Sequence, residues 1–350
     1  MSSSPGARAI VMQVGGVVTS LPMGSRCLLL GIALFAACGG DDGPTEAPWV
    51  TITESRPAAL LSVWGSSATD VYVVGGDPRD GTGPMVFHYD GAAWTKLDTT
   101  QRDVDIWWTF GFEGGPVFFS GSNGTILRYQ NNTFEKLTTP GNAIVFGMWG
   151  AAPNDVWAVG GNFGGGNFVW HFDGAAWTAV TVPEVTTTDT LWKINGRAAN
   201  DFWISGTTGI TLHYNGTAFE RVDVPVEASL FSVAAMDDRF IAVGGAFDGI
   251  LFENDGSGWQ SKIPTGGPIL SGVTASADQA YAVGQFGAVL KRSSSGSWSA
   301  EQDVPTNQNL HAAWIDPSGG VWAVGGHFDT PPMSGGVLIH KGDPLQGSIP

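Results

Sequence analysis

The chain has 350 residues, a formal net charge of −16, and 43% hydrophobic residues, with 51 glycines, 15 tryptophans and two cysteines. So large an acidic excess argues against DNA, RNA or anionic lipid surfaces as partners. Its only cysteines, Cys27 and Cys38, both lie in the first forty residues, so the rest of the chain must be held by its core rather than by disulfides.

In chain order the first recognisable element is the apolar run Cys27 to Ala37 (CLLLGIALFAA), with Arg26 before it and Cys38 after it. The run is too short to cross a bilayer, which takes about 20 residues in a helix. A basic flank, a short apolar stretch and small residues before a cut point make a secretory signal, so residues 1–37 are expected to be a leader. Phe35-Ala36-Ala37-Cys38 resembles the lipobox of bacterial lipoproteins, with Phe35 where that motif usually has Leu, which implies lipidation of Cys38. Met23-Gly24-Ser25-Arg26 opens a leader of ordinary proportions, and the true start is expected there. Cleavage before Cys38 leaves 313 residues and moves the net charge to −18, because Arg8 and Arg26 depart and no acid does. Residues 38–47 are a polar tether without apolar pattern. Known sorting rules applied to Gly39 place such a protein in the outer membrane of the cell envelope.

From residue 48 onward the chain repeats itself. The segments DVYVVG (70–75), PVFFSG (116–121), DVWAVG (155–160), DFWISG (201–206), RFIAVG (239–244), QAYAVG (279–284) and GVWAVG (320–325) align, each ending in glycine. Their spacing averages about 42 residues, the size of a four-stranded propeller blade. Each copy has an apolar strand before it, such as LLSVWG (60–65), and a strand after it that ends in Asp-Gly or Asn-Gly, such as VFHYDG (86–91). These pairs signal hairpins, because a type I′ turn needs positive φ at both central positions. An aromatic marks the fourth strand: Trp94, Phe134, Trp177, Phe219, Trp259 and Trp298. The fold class is therefore all-β, a seven-bladed β-propeller of antiparallel blades over residues 48–343. The seventh copy lacks its outer strand, and PWVTITE (48–54), with Trp49 in the aromatic slot, is expected to supply it and close the ring. Residues 344–350 are left as a C-terminal tail.

The composite D-V-W-A-V-G followed by H-x-D-G-x-x-W resembles the repeat of the photosystem II assembly-factor propellers and of related bacterial lipoproteins. It is also similar to the Asp-box of sialidase-like propellers, although acid and glycine are adjacent here (Asp90-Gly91, Asp173-Gly174) instead of one residue apart. The resemblance implies a binding or assembly role at an envelope surface. It names no ligand, because a fold does not carry function.

Most residues that look functional are explained by the repeat. His88, His171, His213 and His340 occupy one position on four separate blades and cannot converge on a zinc ion. The five tyrosines also fall in repeat slots, leaving none as a sialidase-type nucleophile, and no hydrolase, metalloprotease or phosphate-loop motif appears. Trp108 departs from the template, since the corresponding residues read as Ser62, Gly147, Lys193, Phe231, Ser271 and Ala312; Lys193 departs likewise. His311 and His327 also stand outside the histidine slot.

Loops joining second to third strands, and those linking blades, are long and variable and leave a propeller on one face, where binding is expected. That face is acidic. The candidate binding residues are Asp77, Asp80, Asp103, Asp105, Trp108, Lys193, Asp248, His327 and Asp329. The acids read either as a solvated face or as a Ca²⁺-supported patch with ligands from several loops. Function is expected to be non-enzymatic: a lipid-anchored scaffold that binds a protein partner through this face. The alternative is a glycan-binding module in which Phe163, Phe247 and Phe328 stack on sugar; a hydrolase is the third choice.

Overall fold

The computed structural model describes residues 46–182 and 185–350; the leader, Cys38, most of the tether and Glu184 lie outside them. The described residues form seven four-stranded antiparallel sheets. Blades 1 to 6 are built from consecutive strands, with inner strands Leu60–Ser67, Ile106–Gly111, Ile144–Ala152, Leu191–Ala198, Ser229–Ala235 and Leu270–Ala275. Blade 7 begins at Leu310–Ile315, and each inner strand packs against the next around a closed ring. The glycine-terminated repeats are the second strands. Asp155–Asn162, for example, is buried along almost its whole length because blades cover both of its faces, which is why it reads as a continuous apolar run. Among the described residues no helix is long and apolar enough to cross a membrane.

The ring closes as the repeat count requires. Trp49–Arg56 pairs antiparallel with Ser334–Lys341, with Trp49 opposite Lys341 and Thr51 opposite Ile339. Trp49 is buried, meets Tyr281 edge-on at 6.3 Å and donates from Nε1 to Glu301 at 3.0 Å. Lys341 donates to Glu301 at 2.5 Å and to Glu46 at 2.7 Å, while Lys291 also pairs with Glu46. Residues after 343 pack onto blade 1: Ile349 joins the cluster of Tyr89, Trp94 and Trp322, and the Gln346 amide donates to the Tyr89 hydroxyl at 3.0 Å.

The Asp-Gly turns correct one expectation. Only the glycine takes positive φ (Gly91 +88°, Gly174 +94°), so these are not type I′ turns. The aspartate is needed as an acceptor: Asp90 Oδ1 takes the amides of Ala92 and Ala93 at 2.9 and 2.8 Å, and Asp173 does the same at Ala175 and Ala176. The two-residue loop with both central φ positive is Asn131-Asn132, at 51° and 60°.

The histidine slot is structural. His88, His171 and His213 each bond the aspartate that opens the second strand (Asp70, Asp155, Asp201) at 2.7–2.9 Å and lie over Tyr72, Trp157 and Trp203. Blade 5 puts a carboxylate there instead. Glu253 is 2% exposed and accepts from Arg239 of its own blade at 3.0 Å, and from Arg292 and Trp298 of blade 6 at 2.7 and 2.8 Å.

Candidate functional site

Every inner strand carries the same irregularity. Its register slips by one residue between Leu60 and Ser62, Ile106 and Trp108, Val145 and Gly147, Leu191 and Lys193, Leu230 and Ser232, Leu270 and Gly272, and Leu310 and Ala312. A bulge leaves one residue out of the ladder and re-aims its side chain. The re-aimed residues are Leu61, Trp107, Phe146, Trp192, Phe231, Ser271 and His311, one per blade. The last six line a single cavity of about 240 Å³, and Leu61 packs with Trp107 and Phe146. The register also corrects the slot assigned to Trp108: its equivalents are Ser232 and Gly272, not Phe231 and Ser271, because blades 5 and 6 have one residue fewer between the inner-strand leucine and the repeat glycine (Leu230 opposite Gly244 and Leu270 opposite Gly284, against Leu60 opposite Gly75).

Loops between second and third strands complete the cavity, contributing Phe163, Gln285, Phe328 and Asp329. It therefore opens on the loop-rich face. Blades 2 to 5 supply an aromatic arc: Trp107 meets Phe146 at 5.3 Å, Phe146 meets Trp192 at 4.9 Å, and Trp192 meets Phe231 at 5.9 Å. Blades 6 and 7 supply the polar wall of Ser271 and His311. The buried Nε1 atoms of Trp107 and Trp192 have no acceptor among the described residues.

At the floor, the two off-template residues meet. Lys193 Nζ lies 4.4 Å from the Trp108 ring centre and donates to the Phe146 carbonyl at 2.7 Å. Trp108 in turn donates to the Met148 carbonyl at 3.0 Å. Gly147 makes the crossing feasible, since a Cβ there would stand 3.0 Å from Lys193 Cα. Lys193 lines both this cavity and a second one of about 220 Å³ that also contains Trp108, so the pair partitions the axial channel. No carboxylate pairs with Lys193 among the described residues, and burial lowers its pKa from the ordinary lysine value to about 7. His311 is held neutral: burial first, then the Lys193 charge, lowers its pKa to about 3, against a hydrogen bond to the Leu61 carbonyl.

These shifts have a stability signature. Because the folded pKa of Lys193 lies below its unfolded value, the unfolded chain binds more protons between pH 7 and about 10.5, and stability rises with pH through that window. Lys193→Met is therefore expected to stabilise the fold at pH 7 by about 1–3 kcal/mol, with the gain shrinking toward pH 10. Urea unfolding at pH 7 and pH 9.5 checks this; an equal loss of stability at both values would contradict it.

The predicted acids are not gathered in the cavity. Asp77 is buried and accepts the amides of Arg79 and Asp103 at 2.7 and 2.8 Å, while Asp105 takes the Asp77 amide and the Arg79 guanidinium at 2.9 and 2.8 Å. Asp80 is exposed and caps Thr82, and Asp103 takes positive φ in the same loop cluster. Asp248 is exposed on its loop, His327 is exposed at the end of strand Val321–His327, and Asp329 lines the cavity and accepts from Asn309 at 3.0 Å. Among the described residues, no three His, Cys, Asp or Glu side chains are grouped to hold a metal ion. Phe163, Phe247 and Phe286 are 63%, 97% and 74% exposed on second-to-third-strand loops, and Phe286 is held at φ +59°.

Seven such blades around a divided axial channel make this chain a seven-bladed β-propeller. No protein-family model and no curated protein sequence matches it. Among solved structures it is similar to a streptogramin B lyase, with 12% identity over 85% of this chain and 98% of that one and a TM-score of 0.67. It is also similar to virginiamycin B lyase from Staphylococcus aureus (13% identity, 84% and 98% covered, TM-score 0.65). A third is YCF48 from Cyanidioschyzon merolae (13%, 84% and 98%, TM-score 0.62), a protein also solved bound to D1 peptide. At these identities the likeness is one of fold.

Proposed function

We propose that this chain is an exported scaffold, anchored in the cell envelope through lipid on Cys38, whose loop-rich face docks a segment of another protein. The observation that carries the reading is the apolar face itself. Phe247 and Phe286 stand exposed on loops beyond the residues that line the pocket, so the apolar area extends past what one sugar or small ligand would cover. Holding a phenylalanine at positive φ, as at Phe286, costs on the order of 1 kcal/mol or more and is characteristic of sites kept for binding. The axial cavity, at about 240 Å³, has room for a side chain of the docked segment. Exposed Asp80, Asp103, Asp248 and Asp329 on the same face would favour a partner with basic residues and speed its encounter. A fold like that of YCF48, which was solved with a peptide bound, is consistent with this use.

Proximity labelling in the intact envelope identifies the partner, and surface plasmon resonance with the purified pair tests the face. Trp192→Ala and Phe247→Ser are each expected to weaken binding, the tryptophan by at least about tenfold, the range of a central interface residue. Unchanged affinity in both would refute the docking face. The concave aromatic wall opposite Ser271, Gln285 and His311 also suits a glycan, and a glycan array separates the two readings.

A further inference from the structure

We infer that the axial pocket captures small neutral aromatic carbonyl compounds as reversible imines on Lys193. This goes beyond the docking role and does not depend on it. A lysine is a nucleophile only as its free base, and desolvation in an apolar pocket is the usual way of exposing that base near neutral pH. The geometry at Lys193 meets the requirement. Its amine is buried at the floor of the aromatic cavity, with one carbonyl acceptor, one aromatic face and no carboxylate among the described residues to hold the ammonium. Lys341, the other lysine buried to this degree, is fixed as an ammonium between Glu46 and Glu301.

The surroundings select the carbonyl compound. The arc of Trp107, Phe146, Trp192 and Phe231 in a cavity of about 240 Å³ suits one aromatic ring with a short substituent. Asp329 at the mouth repels anions, and the aromatic arc penalises desolvating a charge of either sign, which leaves neutral ligands. The Trp107 and Trp192 indole N–H groups lack acceptors among the described residues, and a carbonyl or hydroxyl oxygen entering the pocket with a small ring shift would satisfy one of them. His311 donates from Nδ1 to the Leu61 carbonyl, so Nε2 carries a lone pair in the same cavity. In the reaction the Lys193 nitrogen lone pair forms a bond to the carbonyl carbon, and the C=O π pair moves to oxygen. The proton lost from nitrogen passes through solvent to that oxygen, giving a carbinolamine whose hydroxyl His311 Nε2 can accept as a hydrogen bond. A second proton from solvent turns the hydroxyl into water, the nitrogen lone pair expels it to leave an iminium, and loss of the remaining N–H proton to solvent gives the imine. Amine plus carbonyl gives imine plus water, with no change of oxidation state.

The test uses the full chain alone, incubated with benzaldehyde and sodium cyanoborohydride at pH 7, then digested and mapped by mass spectrometry. The chain has six lysines, so each can be followed separately. We expect Lys193 to take up the benzyl group at least about tenfold faster than Lys96, Lys136, Lys262, Lys291 or Lys341, as its larger free-base fraction requires. Trp192→Ala should slow labelling at Lys193 and leave the other five unchanged, and 4-carboxybenzaldehyde should label Lys193 more slowly than benzaldehyde. Even labelling across the six lysines would overturn the inference. So would a preference for the carboxylated aldehyde, which would make the pocket an anion site. Both readouts come from the wild-type protein and stand whether or not a partner docks.

Discussion

Removing residues 48–55 is expected to lower the melting temperature of the whole ring by roughly 10 °C or more, or to leave no folded monomer at all. The deletion takes Trp49 out of its pocket against Tyr281 and Glu301, and losing a buried tryptophan alone costs about 3–5 kcal/mol. It also strips the partner from Ser334–Lys341, whose backbone then becomes an open sheet edge. Against a typical total stability of about 5–15 kcal/mol, these losses cannot be confined to one blade. Circular dichroism and tryptophan fluorescence should report the same lowered transition. A melting temperature within a degree or two of wild type would show that closure by the N-terminal strand is dispensable.

Glu253→Ala should be the most damaging single substitution outside the aromatic core, costing about 3–5 kcal/mol, because it leaves Arg292, whose side chain is only 10% exposed, without its counter-charge. Burial pushes the Glu253 carboxyl up, but hydrogen bonds from Arg292, Trp298 and Arg239 outweigh this and hold it below the ordinary glutamate value. A depressed folded pKa contributes stability that is present above the unfolded value and lost as the pH falls through the folded one. Wild type should therefore lose stability in acid more steeply than Glu253→Gln. The double variant Glu253→Leu, Arg292→Leu should recover more than half of the loss, since two apolar side chains can replace a buried pair. Guanidinium unfolding across this set decides the matter; a loss below about 1 kcal/mol for Glu253→Ala would show that the blade 5–6 seam does not depend on it.

The fold was legible because a repeat of fixed length states its own architecture, down to the missing outer strand and the Trp49 that replaces it. The site was legible only in part. Trp108 and Lys193 stood out as departures from the template, and they lie in contact across the channel. The cavity above them was hidden by the bulges. Every blade has the extra residue, so the repeat length shows no trace of it, and counting back from the repeat glycine put Phe231 and Ser271 into the wrong slot because the first hairpins of blades 5 and 6 are one residue shorter. A signal was present nonetheless. Directly after a nearly constant Leu, Ile or Val (Leu60, Ile106, Val145, Leu191, Leu230, Leu270, Leu310) comes a residue that is Trp or Phe in four consecutive blades (Trp107, Phe146, Trp192, Phe231). A run of large aromatics at one inner-strand position of neighbouring blades is the signal of a shared wall. Asp77 and Asp105 were hard to read for a different reason. Charge can be counted from sequence, but not that Arg79 and nearby amides would occupy Asp77 and Asp105.

The pairing of Trp49–Arg56 with Ser334–Lys341 also sets an order of events during biosynthesis. The first strand to be made waits for nearly the last, and at ordinary elongation rates the interval is roughly 15–60 s. Blades 1 to 6 can each assemble from contiguous chain during that time, while a strand bearing Trp49 stays without a partner. The nascent chain thus carries an aggregation-prone end that a holding chaperone or passage through a membrane channel would have to shield. Formed last, this pairing is expected to be absent from the folding transition state and to govern how fast the ring opens rather than how fast it forms.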